Sequence, residues 1–447
     1  MRRVCLTLPT NRACAGTIAA VAGEAAEGAR RFGAEVRLLV LDSSGAPERA
    51  GHRAAIAALP EAPGVVVHHL DEEQQRSFLR KVILRSGAAD PDRILRLMLP
   101  SGVSYGACTN RAFLLAEALG CASVHRRDSD SGYQTFGGEP VHPLVHELTA
   151  LGRPAAEAAE LVTRSRLDPA LLERTVALVG GSFVGEMSVD VAEIRRLDPA
   201  VYRDVVGLSV PAGYPEIWRA NLVDEAFRGA GTDPFTGDLT TLGRVAPARV
   251  DMCNIGLDRE VYGRVPLPPA TDTIGSDYFL VHLVHDAGLP GVLHNRHIVN
   301  HHTDERRTGA GFLAYQTRFA KFLLAARYFD DVYARLRATG GGLLDDGGRI
   351  RASAVAACVR DSRGPDRDAD AERLGLAEVL DVLDGSYRKL GGRYTAVADG
   401  LAARRGGLLD EARADTADFA LLIDAWEPLV RACRDEGFPA DGRPAPL

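Results

Sequence analysis

The chain has 447 residues, of which 46% are hydrophobic and 25% are charged, and its formal net charge is −7. The length suggests two domains, or one large domain with an appendage, and the composition is that of a folded globular protein. The negative charge argues against a nucleic-acid-binding protein, because such proteins need a basic face. A ligand of nucleotide size is still compatible with it.

The first 130 residues alternate between strand-like and helix-like patterns. Strands are predicted over 2–8, 35–42, 64–70 and 121–125, and helices over 14–32, 72–85 and 109–120. This alternation predicts an α/β fold with a mostly parallel sheet and right-handed crossovers. Ligands of such sheets bind beyond the carboxyl ends of the strands. Thr10, Asn11, Asp42 and Asp128 all fall at such ends.

The pattern is weaker after residue 140. Residues 175–190 indicate one or two strands, and 251–307 predict a strand, a Pro-rich loop, a helix over about 275–287 and another strand. A long amphipathic helix is predicted over 311–337. The stretch 339–372 is rich in glycine and charge and is predicted to be a linker or mobile loop. The rest is predicted to be helical, with a frayed tail.

The cysteines and the apolar segments indicate the compartment. The seven cysteines are scattered and never spaced as CxxC, which disfavours a zinc site or a disulfide framework and fits a reducing cytoplasm. Too few apolar residues precede Pro9 for a signal peptide, and no segment has the roughly 18 uninterrupted apolar residues of a membrane helix. We expect a cytoplasmic protein without a membrane span. Its scarcity of lysine is typical of a GC-rich bacterial genome.

Two aspartates, Asp128 and Asp130, follow the fourth predicted strand as a D-x-D. Carboxylates this close repel one another unless a cation lies between them. The pair can bind a hard divalent cation and leave metal positions open for phosphate oxygens. The alternative is a solvated acidic turn that forms salt bridges with Arg126 and Arg127. The position of the pair at a carboxyl end of the sheet favours the metal site.

Two further segments carry candidate chemistry. His301 and His302 follow another predicted strand, and a neutral imidazole can complete the coordination of manganese; the alternative is a pair of surface histidines. Asp277 begins a predicted helix, where the helix N-terminus stabilises its charge. It can accept a proton from an attacking hydroxyl there, or either Ser276 or Asp277 is only an N-cap.

The order of these parts resembles the GT-A glycosyltransferases, in particular the family-two-like enzymes. The resemblance is carried by "LPTNR", "LDSSG", "SYGACTNRAFLLAEALGCASVHRRDSD", "CNIGLDREVYGRVPLPP", "GSDYFLVHLVHDAGLP" and "IVNHH", and it covers about residues 2–307. It implies a Rossmann-like GT-A domain with a donor-binding half over 1–135 and an acceptor-binding, catalytic half over 136–308. A helical region over 309–447 then follows.

The resemblance also implies roles for individual residues. Asp128 and Asp130 match the metal-binding D-x-D, His302 or His301 the metal histidine, and Asp277 the acid that serves the acceptor. Residues that match the remaining donor-binding positions are Thr10, Arg12 and Asp42 for base and ribose, and Asn110 and Arg111 in the helix before the D-x-D. Arg127 or Arg259 is a candidate for bidentate contact with phosphate. Two departures are Ser276 in place of the usual Glu, and "LDSSG" in place of the commoner "DDGS".

The implied activity is sugar transfer from a nucleotide diphosphate sugar to a hydroxyl, dependent on Mn²⁺ or Mg²⁺. We expect a small soluble acceptor, such as a natural-product or antibiotic intermediate, and inversion at the anomeric carbon, although retaining members share the same motif. The alternatives are a sugar-phosphate nucleotidyltransferase, a metal-dependent hydrolase and a non-catalytic sugar-nucleotide-binding protein. The C-terminal helices either roof the acceptor pocket or form a homodimer interface.

Overall fold

The computed structural model describes residues 2–211, 215–301 and 304–438. The strands in this part of the chain are β1 (Arg3–Thr10), β2 (Glu35–Asp42), β3 (Val65–Asp71), β4 (Ser123–Arg126), β5 (Ser131–Tyr133), β6 (Thr135–Phe136), β7 (Glu139–Pro140), β8 (Arg164–Ser165), β9 (Leu178–Gly180), β10 (Phe183–Gly185), β11 (Thr240–Gly243), β12 (Ile255–Asp258), β13 (Gly291–His294) and β14 (Ile298–Asn300).

The α-helices of the same ranges are α1 (Ala15–Phe32), α2 (Ala46–Ala57), α3 (Glu72–Ser86), α4 (Pro91–Met98), α5 (Tyr105–Ala118), α6 (Leu144–Ala150), α7 (Ala155–Ala159), α8 (Ala192–Leu197), α9 (Pro199–Gly207), α10 (Glu216–Glu225), α11 (Arg259–Tyr262), α12 (Phe279–Asp286), α13 (Gly309–Thr339), α14 (Ala352–Asp361), α15 (Arg367–Arg373), α16 (Leu376–Leu390), α17 (Arg393–Ala403) and α18 (Arg405–Glu436). Short 3-10 turns cover Pro169–Leu171, Pro247–Arg249, Asp304–Arg307 and Gly340–Leu343.

The main sheet has nine strands in the order β3-β2-β1-β4-β12-β9-β13-β11-β8. The first four of these are parallel to one another. β12 runs antiparallel between β4 and β9, and both β9 and β13 have the direction of the first four. The predicted α/β class, with a mostly parallel sheet flanked by helices, is therefore confirmed.

The strand order reverses beside β1. The chain passes from β1 to β2 and β3 on one side and then returns to β4 on the other. Such a reversal leaves a crevice beyond the carboxyl ends of the two central strands. Thr10 pairs with Asp42 across β1 and β2, and Thr7 pairs with Arg126 of β4. The ends of β1 and β2 and the residues that follow β4 therefore share one edge of the sheet.

Local sequence signals account for several boundaries in this half. Helix α1 ends at Gly33, whose φ of 59° lies in the left-handed region that favours glycine. Helix α3 begins with a capping box, in which Asp71 accepts from the backbone of Gln74 while the Gln74 side chain accepts from the backbone of Asp71. These signals explain why the predicted elements before residue 90 lie close to the observed ones.

A smaller sheet of three strands, β10-β14-β5, lies apart from the main one. In its antiparallel pair of β14 and β5, Asn300 is opposite Ser131 and Ile298 is opposite Tyr133. The backbone that follows Asn300 therefore runs beside the backbone that precedes Ser131. This register joins two segments that are distant in the sequence.

The C-terminal region is helical, as predicted, and it packs on helices of the N-terminal part of the chain. Helix α18 lies against α3 and α5. Trp426 of α18 is fully buried, and its indole N–H donates to the carbonyl of Tyr262 at 2.8 Å. Leu429 and Cys433 belong to the same apolar core as Phe113 of α5. The C-terminal helices thus complete the core on that side of the sheet.

The prediction of a linker or mobile loop over 339–372 is wrong. That stretch contains α14 and nearly all of α15, and Val355 and Val359 of α14 are fully buried. The carboxylate of Asp370 is also buried, where it forms an ion pair with Arg413 and accepts from Tyr328 at 3.1 Å. Glycines and charges at the ends of the stretch masked a short apolar repeat. Most of the predicted frayed tail, residues 439–447, lies outside the described residues.

None of the helices in the described ranges is both long and apolar enough to cross a membrane.

Candidate functional site

A buried arginine joins two carboxylates at the crevice. Arg126 is the last residue of β4, and its side chain is 3% exposed. One guanidinium nitrogen lies 2.9 Å from Asp128 Oδ1, and another forms an ion pair with Asp277 Oδ2. The structure therefore brings together two of the acids that the sequence singled out, although they come from distant segments.

Asp277 is held in place by the chain around it. It precedes α12, and neither Ser276 nor Asp277 caps that helix with its side chain. The Ser276 hydroxyl instead accepts from the backbone N–H of Gly106 at 3.3 Å. A Cβ at Gly106 would lie 1.9 Å from the carbonyl oxygen of Pro268, so only glycine allows this close approach.

The surroundings of Asp277 raise its pKa. Asp277 is only 4% exposed to solvent. Burial raises the pKa of Asp277 above its ordinary value, and the ion pair with Arg126 only partly opposes that rise. A carboxylate with a raised pKa is a better proton acceptor than an ordinary aspartate, which is the property that a general base needs.

Asp130 lies between two other arginines. Arg12, from the loop between β1 and α1, donates to Asp130 Oδ2 at 2.9 Å, and Arg306 lies 3.6 Å from the same oxygen. The Arg306 guanidinium also lies 5.4 Å from the ring centroid of Tyr315. Burial and the neighbouring Asp128 carboxylate raise the pKa of Asp130. This edge of the crevice thus offers guanidinium groups from both halves of the chain.

The predicted metal histidines are only partly described. His301 is exposed and directly follows Asn300, which pairs with Ser131. The backbone of His301 therefore lies at the same end of the small sheet as Asp130. His302 lies outside the described residues.

A second cluster lies beneath the loop that carries Arg12. Within the described ranges, Asp42, His52 and His69 form a cluster of three potential metal ligands, whose ligand atoms lie within 4.8 Å of one another. His52 Nδ1 and His69 Nε2 each lie 2.8 Å from Asp42 Oδ2. The Cys14 backbone N–H points at His52 Nε2 at 3.1 Å. Because His52 Nε2 is the acceptor, Nδ1 carries the proton and donates to Asp42. Both ring nitrogens of His52 are then used in hydrogen bonds within the protein, which disfavours metal binding by this cluster.

Asp42 itself is fully buried. Burial alone would raise the pKa of its carboxyl, but hydrogen bonds from His69, Ser44 and His52 together lower it well below its usual range. The structure therefore places Asp42 at the predicted edge of the sheet but fills its hydrogen-bonding capacity with protein donors. The direct ribose contact predicted for Asp42 does not fit this arrangement.

Arg127 does not fit its predicted phosphate role. Its side chain is 1% exposed and points away from Arg126, as successive residues of an extended chain do. It donates to Glu24 at 2.9 and 2.7 Å and lies 3.1 Å from Glu147. Two carboxylates thus hold its charge inside the protein, so Arg126 rather than Arg127 faces the crevice.

Three other predicted contacts also have internal partners. The Asn110 side chain exchanges two 2.8 Å hydrogen bonds with the backbone of Leu267. Arg111 donates to Gln75 and to the carbonyl of Met98. Arg259 binds the buried Glu117, with its closest contact at 2.6 Å. Nucleotide contacts by Asn110 and Arg111, and a phosphate contact by Arg259, do not fit these positions.

The chain belongs to the family described as "Family of unknown function (DUF6271)", whose model matches residues 2–441. No curated protein matches its sequence.

Among solved structures, the chain is similar to the mannosyltransferase PcManGT from Pyrobaculum calidifontis, determined in complex with GDP-Man and Mn²⁺. The two share 13% identity over 95% of this chain and 87% of that one, with a TM-score of 0.36. It is also similar to residues 1–349 of S. aureus TarS, at 12% identity over 98% and 92% of the two chains, with a TM-score of 0.29. A mycobacterial protein shares 15% identity over 73% and 74%, with a TM-score of 0.31. At these values the similarity assigns no activity to this chain.

Proposed function

We propose that the protein is a GT-A-type glycosyltransferase that moves a sugar from a nucleotide diphosphate sugar to a hydroxyl of a small acceptor. The observation that carries this proposal is that Asp128 and Asp277 share Arg126, with Asp130 two residues from Asp128, at the reversal of strand order, where nucleotides bind in doubly wound sheets. The order of the sequence motifs supports it.

Arginines are suited to hold the diphosphate. Arg12 and Arg306 both contact Asp130, and both do so through the same oxygen, Oδ2. A guanidinium binds phosphate oxygens through paired N–H groups. We therefore assign to Arg12 and Arg306 the phosphate contacts that the sequence suggested for Arg127 or Arg259.

The aspartate pair also fits a divalent cation. Among the described residues, its side-chain ion pairs use Oδ1 of Asp128 and Oδ2 of Asp130, so these ion pairs do not occupy the second oxygen of either carboxylate. Carboxylate oxygens are the ligands that Mn²⁺ and Mg²⁺ prefer. Asp128, Asp130 and a histidine at 301 or 302 would hold the ion, which would neutralise charge on the departing diphosphate.

Asp277 is the group that we assign to the acceptor. As the acceptor oxygen bonds to the anomeric carbon, the bond from that carbon to the diphosphate breaks, and the hydroxyl proton passes to Asp277. Arg126 orients this carboxylate and ties it to Asp128. This arrangement is the one expected for inversion, although the same donor site is compatible with retention.

Product analysis separates this function from its rivals. The protein is incubated with a panel of nucleotide diphosphate sugars, Mn²⁺ or Mg²⁺ and candidate hydroxyl acceptors, including natural-product intermediates. Release of nucleotide diphosphate together with a glycosylated acceptor supports the proposal. Pyrophosphate release indicates a nucleotidyltransferase, water as the only acceptor indicates a hydrolase, and binding without turnover indicates a sugar-nucleotide-binding protein.

A further inference from the structure

Hydrogen bonds within the loop between β1 and α1, and one to a buried histidine, hold this loop in place. It carries Arg12, whose backbone N–H donates to the Thr10 hydroxyl at 3.3 Å while that hydroxyl donates to the Arg12 carbonyl at 2.9 Å. Two residues further on, the backbone N–H of Cys14 donates to His52 Nε2 at 3.1 Å. His52 is therefore the side chain beneath the end of the loop.

His52 is in turn fixed by Asp42. The imidazole is 1% exposed, lies on α2 and donates from Nδ1 to Asp42 Oδ2 at 2.8 Å. Asp42 is oriented by the backbone N–H of Ser44 at 2.9 Å and by His69 at 2.8 Å. A continuous series of hydrogen bonds thus runs from the end of β2, through a buried imidazole, to the backbone of the loop.

We propose that His52 is a positioning residue for donor binding: Asp42 fixes its tautomer, so that Nε2 accepts from the backbone of Cys14 and holds the loop that carries Arg12 beside Asp130. This inference rests on the proposed function, because Arg12 matters only if the crevice takes a diphosphate. It also gives Asp42 a role that its burial allows, since Asp42 acts through His52 and does not contact the nucleotide.

The same residues are not arranged as a nucleophilic triad. Cys14 Sγ lies 3.5 Å from His52 Nε2, but the lone pair of that nitrogen already accepts the Cys14 backbone N–H. Burial raises the pKa of the Cys14 thiol, which opposes thiolate formation. The hydrogen bonds therefore serve the backbone of the loop and not the sulfur atom.

Two substitutions separate the two ends of the imidazole. His52→Gln places an amide oxygen near the position of Nε2 and keeps an acceptor for Cys14, but it loses the donor to Asp42. His52→Asn places an amide nitrogen near the position of Nδ1 and keeps the donor to Asp42, but it leaves the Cys14 N–H without its acceptor. The two variants carry the same amide group and differ in size by one methylene group, so each is compared directly with the other.

Donor binding is measured by calorimetry with nucleotide diphosphates and Mn²⁺. We expect His52→Asn to weaken binding by about tenfold, the scale of one lost buried hydrogen bond, and His52→Gln to stay within about twofold of the wild type. Equal losses in the two variants, or a larger loss in His52→Gln, would overturn the inference.

Two measurements that need no ligand keep this test separate from the proposed function. If the wild type binds no nucleotide diphosphate, the proposed function fails, and amide hydrogen exchange over residues 10–14 then decides the inference. Faster exchange in His52→Asn than in His52→Gln supports it, and equal rates overturn it. If His52→Asn does not fold, nitrogen NMR of the wild type reads the tautomer: an unprotonated His52 Nε2 supports the inference, and a protonated one overturns it.

Discussion

Arg126 shows how one side chain can organise a site. A guanidinium that is almost fully buried needs anionic partners to offset its lost hydration, and here the partners are Asp128 and Asp277. The salt bridge between Asp128 and Arg126, which the sequence offered only as the alternative to a metal site, exists in the structure. It does not compete with the proposed function, since it occupies one oxygen of Asp128 and ties that residue to the acceptor side.

We predict that Asp128→Asn and Asp130→Asn each weaken metal-dependent binding of a nucleotide diphosphate by at least about tenfold, because each removes a charge that the divalent ion needs. Calorimetry with and without Mn²⁺ measures the change, and thermal unfolding checks the fold. Asp233→Asn, at an exposed aspartate, is the control. Unchanged affinity in both site variants would remove the metal site from the account.

We predict that Asp277→Asn lowers turnover by about 10²–10⁴-fold, as expected for a lost general base, with little change in donor affinity. Since the pKa of Asp277 is raised, its carboxylate form is lost at a higher pH than for an ordinary aspartate. Turnover of the wild type should therefore fall as the pH is lowered through that pKa. Steady-state kinetics across pH test this, and equal losses of turnover and affinity would make Asp277 structural.

The sequence could indicate which residue types carry chemistry but not all of their partners. Asp128, Asp130 and Asp277 were predicted from their places beside strand and helix ends, and the structure brings two of them to one arginine. Arg126 and Arg127 are neighbours in the sequence, and only the strand geometry shows which of them faces the crevice. His52 carried no sequence signal, because its partners Asp42 and Cys14 come from two other segments.

At the scale of elements, periodicity was informative where helices and strands are regular. β1, β2, β3, α1, α3 and α13 lie close to their predicted bounds. The stretch 339–372 was misjudged because its apolar residues, including Val355 and Val359, form only a short repeat between glycine-rich and charged ends. Burial of such a repeat depends on α18, which is distant in the sequence.

We predict that Trp426→Ala lowers the free energy of unfolding by about 3–5 kcal/mol, because it removes a fully buried indole and its bond to Tyr262. Denaturant unfolding monitored by circular dichroism measures the loss. Arg431→Ala, in the same helix at a side chain that is 70% exposed, is the control. A transition that leaves α3 and α5 folded in Trp426→Ala would show that the C-terminal helices form an independent unit.

The contact between α13 and α18 gives a prediction about pH. Lys321 of α13 lies 2.9 Å from Glu411 and 3.9 Å from Asp415 of α18. Burial raises the pKa of Asp415 to about 7, with nearby carboxylates adding to the shift and Lys321 opposing it. Between the ordinary pKa of an aspartate and a pH of about 7, the folded state therefore keeps a proton that the unfolded state releases. The free energy of unfolding falls as the pH rises through this range.

Asp415→Asn cannot lose this proton. We expect the stability gain of the variant over the wild type to be larger at pH 8 than at pH 5 by about 2–3 kcal/mol. Thermal and denaturant unfolding at both pH values measure the difference. A stability difference that does not change with pH would contradict the raised pKa.

At the scale of the whole molecule, both halves of the chain and the C-terminal helices contribute to one body. The pairing of β4 with β12 joins the N-terminal strands of the sheet to the later ones, and α18 packs against α3 and α5. The crevice therefore lies between parts that are fixed by a common core. Cytoplasmic location, homodimer formation through the C-terminal helices and a natural-product acceptor stay predictions.

The most direct test of the account is a crystal structure of the protein with Mn²⁺ and a nucleotide diphosphate. We predict that the diphosphate lies beyond the ends of β1 and β4, with Arg12 and Arg306 on its oxygens and the ion between it and Asp128 and Asp130. A nucleotide bound elsewhere, or one whose phosphates avoid these four side chains, would contradict the proposed transferase site.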